Sequence, residues 1–118
     1  MNRWSVYKDD MADRAMQEPT FLILTALAAR PQHGYGIMTD AAQISGGRVT
    51  LRAGTLYAAL DRLSSEGLVE DDHEEIVDAR LRRYYRLTPA GRAALAAETA
   101  RLRANAAVAS RRLRLAGS

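Results

Sequence analysis

Residues 51–95 read LRAGTLYAALDRLSSEGLVEDDHEEIVDARLRRYYRLTPAGRAAL, and this stretch changes its hydrophobic period twice. Over residues 53–66 the apolar side chains recur at helical spacing, which places three leucines on one stripe, Leu56, Leu60 and Leu63. A glycine follows this stretch directly, as is common just after a helix C-terminus. The first part of the stretch therefore predicts an amphipathic helix.

Two extended segments and a long helix follow. Residues 68–72 and 81–87 have strand character, because the second segment alternates apolar and polar side chains as a half-buried strand does. The residues between them close a hairpin. Thr88 and Pro89 then supply an N-cap and a first-turn proline for a helix that runs to about residue 115. Such a helix is roughly 40 Å long at 1.5 Å per residue.

Two further helices precede this stretch. Residues 20–30 are strongly apolar and follow a proline, residues 35–45 have helical spacing, and residues 48–51 (RVTL) predict one brief strand. Three helices followed by a hairpin indicate a winged helix-turn-helix fold, mainly α with a small β-hairpin and a long C-terminal helix. In that fold the third helix enters the major groove of DNA and the hairpin flanks the backbone.

The sequence excludes several classes of function. Because the chain has no cysteine, it has neither disulfides nor a catalytic thiol. The two histidines, His33 and His73, do not form a metal-binding pair, and the acids of residues 71–75 have no nucleophile or phosphate-binding loop beside them. We expect no metal, no cofactor and no enzyme activity. No apolar run approaches the roughly 20 residues of a membrane span, and the N-terminus lacks a signal-peptide core, so we expect a cytoplasmic protein without a membrane partner.

Charge is distributed unevenly along the chain. Residues 66–78 carry seven acids and no lysine or arginine, whereas the rest of the chain has 17 basic residues against seven acids. Lys8 is the only lysine, and the arginine guanidinium suits phosphate and base edges. This distribution favours a nucleic acid as a partner, but charge alone does not decide the partner.

The third helix has an outward face suited to DNA. Gly54 and Ala58 lie there and allow close approach to the floor of a groove, while Thr50, Arg52 and Thr55 offer donors near the free N–H groups of the helix start. A solvated helix face with a glycine at its turn explains the same pattern equally well. Spacing within this helix leaves both interpretations open.

Three segments together make the chain resemble the PadR family of transcriptional regulators. They are HGYGI at 33–37, LRAGTLYAALDRLSSEGLVE at 51–70 and RRYYRLTPAGRAAL at 82–95, within a resemblance that covers roughly residues 18–95. The resemblance implies a DNA-binding regulator of transcription that acts as a homodimer on an inverted repeat of double-stranded DNA. It allows a repressor or an activator, and repression is the favoured role. It also leaves open a small-molecule effector of unknown identity.

The resemblance implies roles for particular residues. Tyr35, Thr55 and Tyr57 become backbone or base contacts, Arg82 and Arg83 fall in the wing, and one residue of the Tyr84–Tyr85 pair is expected in the core. Ala58 stands where many members have proline. The predicted DNA-binding set is Tyr35, Thr50, Arg52, Gly54, Thr55, Tyr57, Ala58, Arg62, Arg82 and Arg83. The strand that leads into the wing, EDDHEEIVD, is strongly acidic, and acids repel phosphates.

Dimerisation is expected along the long C-terminal helix. Its small and apolar residues lie on one stripe at near-heptad spacing, which allows close helix approach. The predicted interface is Trp4, Leu95, Leu102, Ala106, Ala109 and Leu113. We expect an N-terminal arm at 1–17, the winged helix-turn-helix domain at 18–87 and the dimerisation helix at 88–118. The alternative is a winged-helix protein-interaction module that does not bind DNA.

Overall fold

The computed structural model describes residues 16–117. The elements along these residues are α1 (Glu18–Ala29), β1 (Gln32–His33), α2 (Gly34–Ile44), α3 (Ala53–Ser65), β2 (Val69–Val77), β3 (Arg80–Leu87) and α4 (Pro89–Gly117). The three strands form one antiparallel sheet in the order β1–β3–β2. This confirms the predicted fold, three helices and a hairpin with a long C-terminal helix. Within this part of the chain, no helix is both long enough and apolar enough to cross a membrane.

The prediction of a strand at residues 48–51 is wrong. These residues form a loop, in which the Val49 backbone N–H donates to the Ser45 hydroxyl at 3.0 Å instead of to a neighbouring strand. Leu51 is nevertheless buried, which explains the apolar pattern of the segment. The third strand is β1, whose residues Gln32 and His33 pair with β3.

The hydrophobic core surrounds α1. This helix is buried on nearly all sides, and Ile23, Leu24 and Ala26 have no exposed surface. Each large apolar side chain buried in this way stabilises the fold by about 1.5–3 kcal/mol relative to exposure. Around α1 lie α2, α3, β3 and the first half of α4, which contribute Ile37, Leu56, Leu60, Leu63, Tyr85, Leu87 and Leu95 to the cluster.

The hairpin of β2 and β3 is longer than the sequence predicts. Its tight turn places Asp78 and Ala79 at φ values of 52° and 62°, as the two central residues of a type I′ turn require. The register shifts by one residue between Asp71 and His73, so Asp72 is an extra residue in β2. Such a bulge bends and twists a strand, and here it sets which side chains of β2 and β3 meet.

The start of α4 is joined to the junction between α3 and β2. The Thr88 hydroxyl caps the helix, accepting from the Gly91 N–H at 2.9 Å, and the Thr88 N–H donates to the Leu68 carbonyl at 3.1 Å. A methyl group at Gly91 would lie 2.9 Å from the Leu68 carbonyl carbon and closer still to its oxygen. The predicted cap is confirmed, and the direction of α4 is fixed relative to the end of α3.

Candidate nucleic-acid interface

The outward surface of α3 is the candidate interface. Leu56, Leu60 and Leu63 are at most 1% exposed, so they anchor the helix and leave its opposite face to solvent. Every residue of the predicted DNA-binding set is exposed, as a contact requires: Tyr35, Thr50, Arg52, Gly54, Thr55, Tyr57, Ala58, Arg62, Arg82 and Arg83. Most of these residues come together around the start of α3, while Arg82 and Arg83 lie apart on the wing.

The N-terminus of α3 is open. Arg52 occupies the N-cap position without a capping side-chain hydrogen bond, and its carbonyl accepts from the Leu56 N–H at 2.9 Å. The backbone N–H groups of the first turn therefore point outward at the positive end of the helix dipole. A methyl group at Gly54 would meet no heavy atom within 4 Å, so the backbone there is accessible. This end of the helix is suited to a phosphate.

Two tyrosines border this helix end. Tyr35 of α2 is 70% exposed, and Tyr57 of α3 is 46% exposed. Tyr57 lies at the side of the outward face, with its ring against the backbone of Gly34. Of the tyrosine pair on β3, Tyr85 is buried and burial raises the pKa of its phenol, whereas Tyr84 lies on the opposite face of the sheet. The prediction that one of the two belongs to the core is confirmed.

Arg62 is already engaged within the chain. Its guanidinium donates to the Thr20 hydroxyl at 2.8 Å and to the Glu66 carboxylate at 3.3 Å, which joins α3 to the first turn of α1. Its side chain is half-exposed. A phosphate contact through Arg62 stays a prediction. It requires the guanidinium to leave Thr20 and Glu66 and bind the phosphate instead.

Three of the four arginines of β3 face acids of β2. Arg86 donates to Glu70 at 2.9 Å and to Asp72 at 3.0 Å. Arg83 lies 3.8 Å from Glu74, and Arg82 is directly opposite Glu75. The predicted wing arginines are therefore partly neutralised by their neighbours. Residues 69–87 carry six acids against four arginines, so the wing as a whole does not attract phosphate.

Tyr84 and both histidines form a cluster that sequence reasoning missed. The Tyr84 ring stacks on His73 at 4.2 Å and meets His33 edge-on at 5.2 Å, and its hydroxyl donates to Glu75 at 3.0 Å. Hydrogen bonding to Asp72 and then to Glu75 raises the pKa of His73. Burial and then the charge of Arg82 lower the pKa of His33. Among residues 16–117, no group of three or more His, Asp or Glu is arranged to hold a metal ion.

One stripe of α4 passes from the core into solvent. Leu95 is half-buried and packs on the core, and Glu98 is 7% exposed and paired with Arg101, with one N–O distance of 3.0 Å. At helical spacing the same face continues through Leu102, which is 41% exposed, to Leu113, which is 73% exposed. Ala106 and Ala109 between them are exposed. Among the residues of the predicted interface, Leu95 thus packs against the core of its own chain, and Trp4 lies outside the described residues.

The core of three helices, the hairpin and the outward surface of α3 define a winged helix-turn-helix protein. The sequence model of the transcriptional regulator PadR-like family matches residues 23–97. The chain belongs to that family, whose members are transcriptional regulators and not enzymes.

Individual relatives agree with this assignment. A transcriptional regulator of Mycobacterium tuberculosis is 57% identical over 42 residues, which are 36% of this chain and 38% of that relative's length. The crystal structure of a PadR family transcription regulator from Clostridium difficile is similar at a TM-score of 0.67 and 27% identity, covering 82% of this chain and 99% of that one. Bacillus subtilis PadR, in complex with operator DNA, is similar at a TM-score of 0.59 and 22% identity, covering 67% of this chain and 45% of that one.

Proposed function

We propose that this chain binds operator DNA as a homodimer and represses transcription, with α3 as the recognition helix. The observation that carries the proposal is the exposed start of α3. Three leucines bury the inner face of the helix, while Gly54, Thr55 and Ala58 stand outward beside unpaired first-turn N–H groups. Small residues and free donors at this end allow the backbone to enter a major groove.

The fold places other donors around this helix end. Tyr35 and Thr50 are exposed on the segments that flank α3, and Arg52 occupies its N-cap position. Phosphate contacts from such residues position a recognition helix, while its outward side chains read base edges. The Bacillus subtilis PadR that shares this fold was crystallised with operator DNA, in agreement with this role.

The homodimer is supported by the exposed part of α4. A helix of 29 residues is about 44 Å long at 1.5 Å per residue, and the core covers only its first turns. Residues 88–118 would join two copies and so fix the distance between two recognition helices, with residues 18–87 as the DNA-binding domain. Two helices one turn of DNA apart read an inverted repeat. An arm at residues 1–17, the repressor role and an effector stay predictions.

The experiment is a gel shift with the DNA upstream of the chain's own gene. We expect a retarded complex that resists an excess of unrelated duplex, and a footprint containing two inverted half-sites about one helical turn apart. Equal competition by unrelated duplex at every salt concentration would contradict sequence-specific binding.

The acidic wing favours one second candidate, a winged-helix module that binds a protein. Arg83 and Arg86 of β3 are paired with acids of β2, and the wing as a whole has an excess of negative charge. This candidate predicts no retarded complex with any duplex at low salt, where a DNA-binding surface would bind most strongly.

A further inference from the structure

Gly34 begins α2, and the phenol ring of Tyr57 lies directly against it. A methyl group added at Gly34 would have its carbon 2.9 Å from the Tyr57 Cζ atom and nearer still to the hydroxyl oxygen. Non-bonded carbon atoms normally lie about 3.5–4.0 Å apart, so only glycine leaves room for the phenol in this position. Gly34 is itself buried.

Backbone conformation does not explain why position 34 is occupied by glycine. The glycines with positive φ are Gly46, Gly47 and Gly67, and Gly34 is not among them. An alanine fits the helical backbone at this position and has a higher helix propensity. The missing side chain therefore matters here for the space that it leaves to Tyr57.

The contact joins α2 and α3 at the edge of the candidate interface. The Tyr57 ring reaches from α3 to the start of α2, and its phenol is close enough to Tyr85 of β3 to influence that residue electrostatically. Tyr57 is still 46% exposed, so one side of the ring is packed while another faces solvent. A side chain that is held before binding loses less conformational entropy when it meets its ligand.

We infer that Gly34 is a positioning residue, which holds the Tyr57 phenol where its hydroxyl meets a DNA phosphate beside α3. The inference rests on the proposed function, since it assumes that α3 binds DNA. Alanine at position 34 pushes against the far end of a flexible side chain, so the ring swings away while the core stays in place.

A double-mutant cycle tests this role. Operator affinity is measured by fluorescence anisotropy for wild type, Gly34→Ala, Tyr57→Ala and the double variant. We expect Gly34→Ala to weaken binding about fivefold, the value of one net hydrogen bond, and to have no further effect when Tyr57 is already alanine. Gly36→Ala is the matched control in the same helix, because its methyl group would approach Gln32, 3.0 Å from Oε1, and not Tyr57.

Each outcome bears on a different claim. Thermal unfolding and the NMR signals of ¹³C-labelled tyrosine rings report the fold, and we expect only Gly34→Ala to shift the Tyr57 signals strongly. The same loss of affinity in both backgrounds, or unmoved Tyr57 signals, would overturn the positioning role. Full affinity of Tyr57→Ala would also overturn it, while leaving the proposed function intact if wild type still prefers the upstream DNA.

Discussion

Tyr84 connects the wing to the helix-turn-helix through His73 and His33. The contacts of these two histidines require opposite protonation states. His73 lies between Asp72 and Glu75 and contacts one carboxylate through each ring nitrogen, an arrangement that a doubly protonated ring satisfies best. His33 caps α2 by accepting from the Gly36 N–H at 3.3 Å, which requires an unprotonated Nδ1. Protonation therefore favours the contacts of His73 and breaks the cap made by His33.

The contribution of the wing to stability should depend on pH because of His73. Its pKa is raised in the folded chain, so the stabilisation that it provides is complete below its unfolded pKa and disappears as pH rises through the folded pKa. The difference in Tm between wild type and His73→Gln should be largest at about pH 5.5 and should shrink by about pH 8 to the constant contribution of the ring's stacking on Tyr84. Subtracting the two curves removes the opposite contribution of His33, which both proteins share. A difference in Tm that does not vary with pH would contradict this.

Ala79 is the one strained residue in the hairpin turn. Its φ of 62° disfavours a residue with a Cβ, whereas Asp78, at 52°, is of a type that tolerates this conformation. Ala79→Gly should raise the free energy of unfolding in urea by about 0.5 kcal/mol, the relief of strain less the entropy that glycine adds to the unfolded chain. The matched control, Ala93→Gly in α4, should lower it by about 1 kcal/mol. Destabilisation by both changes would show that the turn is not strained.

At the scale of elements, the spacing of apolar residues correctly predicted those helices and strands that depend on local sequence. The leucine spacing of α3 and the alternation of β3 were sufficient because each element buries one face on a single core. The strand β1 could not be predicted, since it has two residues and its partners, Tyr84 and Tyr85, lie about fifty positions away. The cluster around Tyr84 depends on the bulge at Asp72, which sequence does not reveal, and Arg62 has a polar partner on a distant helix.

The wing supplies a test of its own at this scale. If Arg82 neutralises a phosphate, Arg82→Ala should reduce the slope of log affinity against log salt by about one unit. Neutralising Glu74 and Glu75 to glutamine should raise affinity for unrelated duplex, because it frees Arg82 and Arg83 from the acids opposite them. The control is Arg111→Ala, on the far side of α4 from the exposed stripe. An unchanged slope for Arg82→Ala would remove this residue from the interface.

At the scale of the whole molecule, the proposed dimer depends on α4. Its first turns are fixed to the junction of α3 and β2 through Thr88 and Gly91, so its exposed half extends in a direction defined relative to α3. Two copies joined along this half would hold two α3 helices at a fixed separation. Dimerisation and operator binding should therefore be lost together.

Leu102→Glu tests this coupling. A charge in a close helix pair is costly when it has no partner, so the variant should shift toward monomer in analytical ultracentrifugation and lose cooperative operator binding. Ala104→Glu, on the opposite face of α4, should do neither. A dimeric Leu102→Glu with normal affinity would place the interface elsewhere and contradict the assembly through α4.

The most direct test of the central claim compares two hydroxyl residues at opposite ends of α3. Thr55 lies at the exposed start of the helix, and Ser65 ends it on the exposed side. Anisotropy titrations with the upstream DNA should show that Thr55→Ala weakens binding by about 1–3 kcal/mol. Ser65→Ala should bind as wild type does, and both variants should unfold at the wild-type temperature. Equal affinities for Thr55→Ala and wild type would contradict the account that the start of α3 recognises DNA.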